Sequence, residues 1–239
     1  MRILGCFVLV LSLAIQVFAF GGPAPESSGG SAAPVAVVGS DVLILSDFES
    51  GNLRSPQEWW VFDISAQPVA NSGLTGGDAN VAGSVGNYSL SLKGPAKNWY
   101  AGGVGTYVAK ENVDLSKYAS LQIDVYGNGP GSGTLKIEVF DDDNNNWQAE
   151  QDPANNYMPI YDDKYVTDIT VDWTGWKRLV LPFEDFVDDN AGVGDNVWNP
   201  EQAGGSGGLL QLQFICLGAK GDALVNFNVD NLALSVSEE

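Results

Sequence analysis

Short runs in which every second residue is apolar, each closed by Gly, Asn, Asp or Pro, fill the chain from Tyr88 onward and restrict what it can fold into. Tyr88-Ser89-Leu90-Ser91-Leu92 puts Tyr88, Leu90 and Leu92 on one face. Leu121 to Tyr126 buries Leu121, Ile123 and Val125 and turns Gln122, Asp124 and Tyr126 the other way. After the turn from Gly127 to Gly133, Leu135 to Phe140 repeats the pattern. Trp176–Leu181, Leu209–Leu217 and Leu224–Val229 continue it, and Leu232–Val236 closes the chain. No stretch carries the apolar stripe of an amphipathic helix. Half-apolar strands bury their faces against a second sheet, so the expected fold class is all-β, an antiparallel β-sandwich.

Ahead of this domain the sequence changes character twice. Residues 1–19 read as a signal peptide: Arg2 supplies the positive end, Ile3–Val17 is almost unbroken in apolar character, and cleavage is expected near Ala19. Residues 20–40, FGGPAPESSGGSAAPVAVVGS, are too poor in large apolar residues to build a core and read as a tether. The sandwich is expected over 41–239. Export would make the protein secreted, periplasmic or displayed on the cell surface, with no transmembrane segment after cleavage. Cys6 leaves with the leader, so Cys216 remains alone in the run Leu212–Leu217, as a buried thiol without a disulfide partner.

Charge and composition narrow the chemistry. With 11 basic against 30 acidic residues, a net charge of -19, the chain is a poor partner for nucleic acid or anionic membranes. It contains no histidine, which excludes Ser-His-Asp and Cys-His catalysis and the histidine-containing zinc sites. No local motif marks a pair of glycosidase carboxylates, and Glu58, Glu138 and Glu184 stand singly. The expected protein is not an enzyme.

Several segments together resemble carbohydrate-binding modules of the galactose-binding-like jelly-roll class, family 11 most nearly. They are Asp47-Phe48-Glu49-Ser50-Gly51, Gly86–Leu92, Asp114-Leu115-Ser116-Lys117-Tyr118, Gly175-Trp176-Lys177-Arg178, Pro182–Phe186 and Val229-Asp230-Asn231-Leu232. The resemblance implies a jelly roll that binds a polysaccharide of the β-glucan kind on a concave sheet. It also implies a structural calcium tying the first strand to the last, with Asp47, Glu49 and Asp230 as ligands and main-chain oxygens around Ser91–Lys93 completing the shell. Calcium takes six to eight hard oxygens, and these groups are of that type. The alternative is that Glu49 and Asp230 are plain turn residues.

A second loop invites the same question. Asp141, Asp143 and Asn145 fall at positions 1, 3 and 5 of an EF-hand-like register, but Asn146 replaces its glycine and Asp152 its glutamate. Asn and Asp suit a hairpin loop without any metal, and the loop is read that way. Asp162, Asp163, Asp188 and Asp189 are read as solvated loop charge.

A sugar site needs an aromatic plane beside amides and carboxylates. The candidates are Trp99, Tyr100, Asp124, Tyr126, Glu138, Trp147, Gln211 and Gln213, with Tyr126 and Trp99 as the leading platforms. Trp176 is read as core, and Trp59 and Trp60 as staples of the first strand. A different class of function, self-assembly into a filament, sheath or surface layer, suits a stand-alone acidic module on the same sandwich.

Overall fold

The period-two runs become strands in the computed structural model, which describes residues 41–236; the expected leader (1–19) and tether (20–40) lie outside the described residues. In chain order the strands are β1 (Val42–Ser46), β2 (Trp59–Phe62), β3 (Ser65–Ala70), β4 (Tyr88–Pro95), β5 (Tyr100–Tyr107), β6 (Ser120–Asn128) and β7 (Gly133–Asp141). They continue as β8 (Gln151–Asp152), β9 (Met158–Pro159), β10 (Lys164–Val171), β11 (Thr174–Pro182), β12 (Val187–Asp188), β13 (Leu209–Leu217) and β14 (Leu224–Ser235). Helix among the described residues is confined to one turn, Ala79–Ala82, and three shorter 3-10 turns. None of it is long and apolar enough to cross a membrane.

Two six-stranded antiparallel sheets hold nearly all of these strands. The first runs β11-β6-β14-β4-β3, with β1 also on β14; the second runs β12-β10-β7-β13-β5-β2. Between them lie Leu90 and Leu92 of β4, Leu121, Ile123 and Val125 of β6, and Phe227 and Val229 of β14. Facing these are Leu135, Ile137 and Val139 of β7 and Leu212, Phe214 and Cys216 of β13. Each such side chain contributes roughly 1.5–3 kcal/mol on burial. The fold is the expected β-sandwich, and Cys216 is the expected buried free thiol.

Two features depart from the sequence reading. Leu224–Val229 and Leu232–Val236 belong largely to one long strand, β14, whose register shifts between Asp230 and Ala233 where Asn231 takes φ 46°. The bulge lets β14 pair β4 before it and β1 beyond it. In addition, the turn after β6 carries the chain from one sheet to the other. Consecutive strands β6 and β7 therefore point their outward residues away from each other, on opposite outer surfaces.

Candidate ligand face and metal centre

The register of the second sheet assembles an outer face row by row. Val166 of β10, Glu138 of β7, Gln213 of β13, Gly105 of β5 and Trp60 of β2 are successive cross-strand partners. The neighbouring row runs Asp168, Lys136, Ile215, Gly103 and Phe62, and the row on the other side runs Lys164, Phe140, Gln211 and Tyr107. The aromatic end has a specific cause. A β-carbon at Gly105 would collide with the Trp60 indole, and one at Gly103 with the tip of the Phe62 ring. The glycines remove the side chains, and ring atoms of Trp60 and Phe62 come against the strand in their place. Tyr107 flanks Trp60 with ring centroids 5.4 Å apart. Tyr100 adds a phenol that donates to Asp63 Oδ2 at 3.0 Å; burial first, then this bond, pushes its pKa up.

The other end of the face is charged. Lys164 Nζ lies 2.9 Å from Asp189 and 3.5 Å from Glu138, and Lys136 lies 3.2 Å from Asp189. Burial raises the pKa of Glu138 against the pull of Lys164 and Lys136. Burial also opposes the charge on Asp189, but the two lysines outweigh it and hold its pKa below the usual value. Asp189 is therefore a paired charge rather than a solvated one. Part of this end is roofed by the 142–163 loop. Met158 Sδ sits 3.3 Å from Lys164 Nζ, and Phe140 and Gln211 are 0% and 2% exposed although they face outward.

The eight sequence-predicted ligand residues do not share a face. Glu138, Gln211 and Gln213 stand on the second sheet, and Tyr100 opens β5 of the same sheet. Trp99 is 55% exposed in the turn before β5, its carbonyl accepting from Gly218 N at 2.7 Å. Trp147 is tied to the 205–207 turn through Nε1, which donates to the Gly205 carbonyl at 2.9 Å. Asp124 and Tyr126 are on the other sheet. Asp124 is fully buried between Arg178 Nε and Nη2, at 2.7 and 2.8 Å, and Asn231 Nδ2 at 2.8 Å. Tyr126 is 8% exposed and packs edge-on against Trp176, centroids 5.3 Å apart, with Val81 and Val85 around them. The expected Tyr126 platform has no open ring face, because Trp176 and the Ala79–Ala82 turn cover it. Trp176 is buried as expected, but in this outer cluster and not between the sheets.

Sequence reasoning missed Trp60, Phe62 and Tyr107. The signal was present in two places. Trp59-Trp60 in a strand must send one ring in and one out; Trp59 packs on Phe48 and Phe214 in the core, which leaves Trp60 outside. A strand containing Gly102-Gly103-Val104-Gly105 asks what approaches its backbone.

At the far end of β7 the acids converge. Asp141, Asp143 and Asp163 each bring a carboxylate oxygen within 4.8 Å of the others, an arrangement that can hold a metal ion. Asp141 Oδ2 accepts from Asn199 N at 2.9 Å, Asp163 Oδ2 from Val197 N at 3.0 Å, and Asp143 Oδ2 from Asp163 N at 2.9 Å. The remaining oxygens of the two buried acids, Asp141 Oδ1 and Asp163 Oδ1, are buried without a donor, as is Asp162 Oδ2. Burial first, and then neighbouring carboxylates, push the pKa of Asp141 up to about 8, of Asp162 to about 7 and of Asp163 to about 6. Asp162 and Asp163 are 0% exposed, which corrects their reading as solvated charge. The loop read as metal-free supplies two of the three acids. The third comes from a position 20 residues on from Asp143, beyond the reach of a local register.

The expected calcium ligands are arranged differently. Glu49 Oε1 accepts from Asn87 N at 2.7 Å and Tyr88 N at 2.8 Å, and Oε2 from Asn87 Nδ2 at 3.0 Å. Burial disfavours its charge, but these N–H groups hold its pKa below the usual value. Asp47 Oδ1 accepts from Glu49 N at 3.2 Å, and Asp230 keeps one buried oxygen, Oδ2, without a donor. Glu49 is thus bonded to the 87–88 segment, while bare buried carboxylate oxygens stand both at Asp230 and at the Asp141 and Asp163 pair.

A separate cleft of about 1430 Å³ opens beside Asp41 and Val42. Its rings meet edge-on or tilted, with Tyr165–Trp198, Phe183–Trp198 and Phe183–Phe186 centroids 5.4, 5.1 and 5.5 Å apart.

No family model and no curated protein matches the chain. Solved structures to which it is similar include a family 11 carbohydrate-binding module from Clostridium thermocellum in complex with a β-1,3-1,4-mixed-linked tetrasaccharide. That pair shows 19% identity and a TM-score of 0.49, covering 83% of this chain and 97% of that one. The family 30 carbohydrate-binding module of a cellulosomal cellulase of Clostridium thermocellum shows 15% identity and a TM-score of 0.45, covering 77% and 95%. A xylan-binding domain from Paenibacillus barcinonensis shows 16% identity and a TM-score of 0.38, covering 80% and 98%.

Proposed function

We propose that this is an exported, non-catalytic carbohydrate-binding protein that lays a β-glucan-like polysaccharide along the outer face of the second sheet, with calcium as its structural ion. The observation that carries the reading is the pair Trp60 and Phe62, whose ring atoms come against the cross-strand partners Gly105 and Gly103 in the space of a missing side chain. The two residues are about 6.8 Å apart along the strand, on the same face. β-Linked glucose units keep their hydroxyls equatorial and present flat C–H faces, which stack on such planes. Tyr100 with Asp63, and Gln213 in the adjoining strand, supply donors and acceptors for the ring hydroxyls. Glu138, the acid in the same cross-strand row as Trp60, stands 3.5 Å from Lys164 Nζ. Hard carboxylate oxygens are the donor type that calcium takes.

Retention of the protein in native gels cast with soluble polysaccharides tests this reading. Retardation by β-glucan and its loss in Phe62→Ala support it. Uniform mobility across β-glucans, xylans and mannans in calcium overturns it.

A further inference from the structure

The 142–163 loop leaves β7 and returns to β10, and its two feet are the acids that converge. Asp143 stands one residue past its start and Asp163 at its end, and Asp163 N donates to Asp143 Oδ2 at 2.9 Å. Asp141, the last residue of β7, meets them there. Two of these carboxylates share one construction: one oxygen is held by an N–H of the 197–199 segment, and the other is buried with no donor at all. A buried carboxylate oxygen without a partner is costly, and two such oxygens beside a third acid repel each other as well. The side-chain charges that act most on Asp141 are Asp143 and Asp163, so the cluster raises its own energy. Gly194, at φ +67°, seats its backbone against Asp143 and Asp163, where a β-carbon would strike both carboxylates. The N–H groups fix the carboxylates in orientation, and the bare oxygens are left for something positive that no side chain of the cluster supplies.

We propose that Asp141, Asp143 and Asp163 bind a divalent cation of the calcium type, and that the bound ion clamps the feet of the 142–163 loop onto the glycan-bearing sheet. The clamp rests on the proposed glycan face only for its functional consequence. Three carboxylates leave coordination positions for main-chain carbonyls and water, as calcium's six to eight oxygens require. The loop they anchor reaches the face directly. Met158 meets Lys164 there, and the Ala149 backbone and the Glu150 charge act on the Tyr107 phenol, which flanks Trp60. Cation binding then does more than stabilise one corner. It holds the roof over Gln211 and Phe140 and sets the position of Tyr107 beside the aromatic shelf.

The test uses the full chain, stripped with chelator and then titrated with calcium or terbium alone. Tyr165 is influenced by Asp163, Asp141 and Asp143, and Trp198 meets it edge-on, so terbium bound there is sensitised by excitation of these rings. The expected results are saturable terbium luminescence displaced by calcium, a Tm raised by several degrees in calcium, and slower amide exchange in 144–161. Asp163→Asn abolishes all three. Asp143→Asn, at the least buried of the three acids, does the same and guards against a folding failure at Asp163. In chelator both variants melt no lower than wild type, because each removes a repelling charge; a merely structural aspartate would lose stability in both buffers. β-Glucan affinity of the wild type falls at least about fivefold in chelator and recovers with calcium. No luminescence and a Tm indifferent to calcium overturn the site. A calcium-dependent Tm with unchanged exchange in 144–161 overturns the clamp. Normal luminescence and clamping in a protein that no polysaccharide retards count against the glycan face and leave the cation site standing.

Discussion

The Trp60 indole lies on the backbone of its cross-strand partner Gly105, in space that a β-carbon on that residue would occupy. The ring sits where it does because a side chain is missing, and restoring one displaces it. Gly105→Ala is expected to weaken β-glucan binding about tenfold, or ~1.4 kcal/mol. Overpacking at the same site costs about 1–2 kcal/mol of stability. Isothermal titration paired with a thermal melt separates the two effects.

Arg178 covers a carboxylate that has nowhere else to go. Asp124 is fully buried, and Arg178 holds both of its oxygens from a partly exposed position. Arg178→Ala leaves that charge with Asn231 alone and is expected to cost about 3 kcal/mol, a Tm loss of roughly 6–12 °C for a domain of this size. Retention on polysaccharide at a temperature where the variant is folded should be unchanged, since Asp124 faces away from the second sheet.

Tyr126 behaves as a packing residue in this account. Its ring is edge-on to Trp176 under the Ala79–Ala82 turn. Truncation to alanine opens a cavity there and is expected to cost about 2–4 kcal/mol, measured by urea unfolding, with glycan affinity of the folded protein preserved.

Asp230 gives a pH signature. Burial first, then the charges of Asp124, Glu49 and Asp47, raise its pKa from 3.8 to about 8. The folded state holds this proton more tightly than the unfolded chain does. Its stabilising contribution is therefore complete below about 3.8 and is lost as pH climbs through about 8. In chelator, the stability of the wild type relative to Asp230→Asn should decline between those values and level off above them. A difference that stays constant with pH contradicts the assignment.

How far the sequence could be read depends on the range of each interaction. Alternation is local, so Leu121-Ile123-Val125 and Leu135-Ile137-Val139 were legible as core faces and the sandwich followed from them. Which outward faces belong together is not local. Asp124 and Glu138 look equivalent in sequence, yet the β6–β7 turn changes sheets and sends them to opposite surfaces. The shelf was half legible: the doubled tryptophan and the glycine-rich strand each carry a cue, but only the β2–β5 register joins them. The acid cluster was least legible, because Asp163 reaches Asp141 and Asp143 through a loop whose length no spacing rule encodes. At the positions the family resemblance implies for calcium, Glu49 bonds the 87–88 backbone and Asp230 keeps a buried oxygen without a donor.

The central claim, that the second sheet and not the first carries the glycan, is tested most directly by one paired titration. Trp60→Ala and Tyr126→Ala, both verified as folded, are titrated with the β-glucan that retards the wild-type protein. The account predicts at least about tenfold weaker binding for Trp60→Ala and wild-type affinity for Tyr126→Ala. Intact binding by Trp60→Ala with loss in Tyr126→Ala would contradict it and move the ligand to the opposite face.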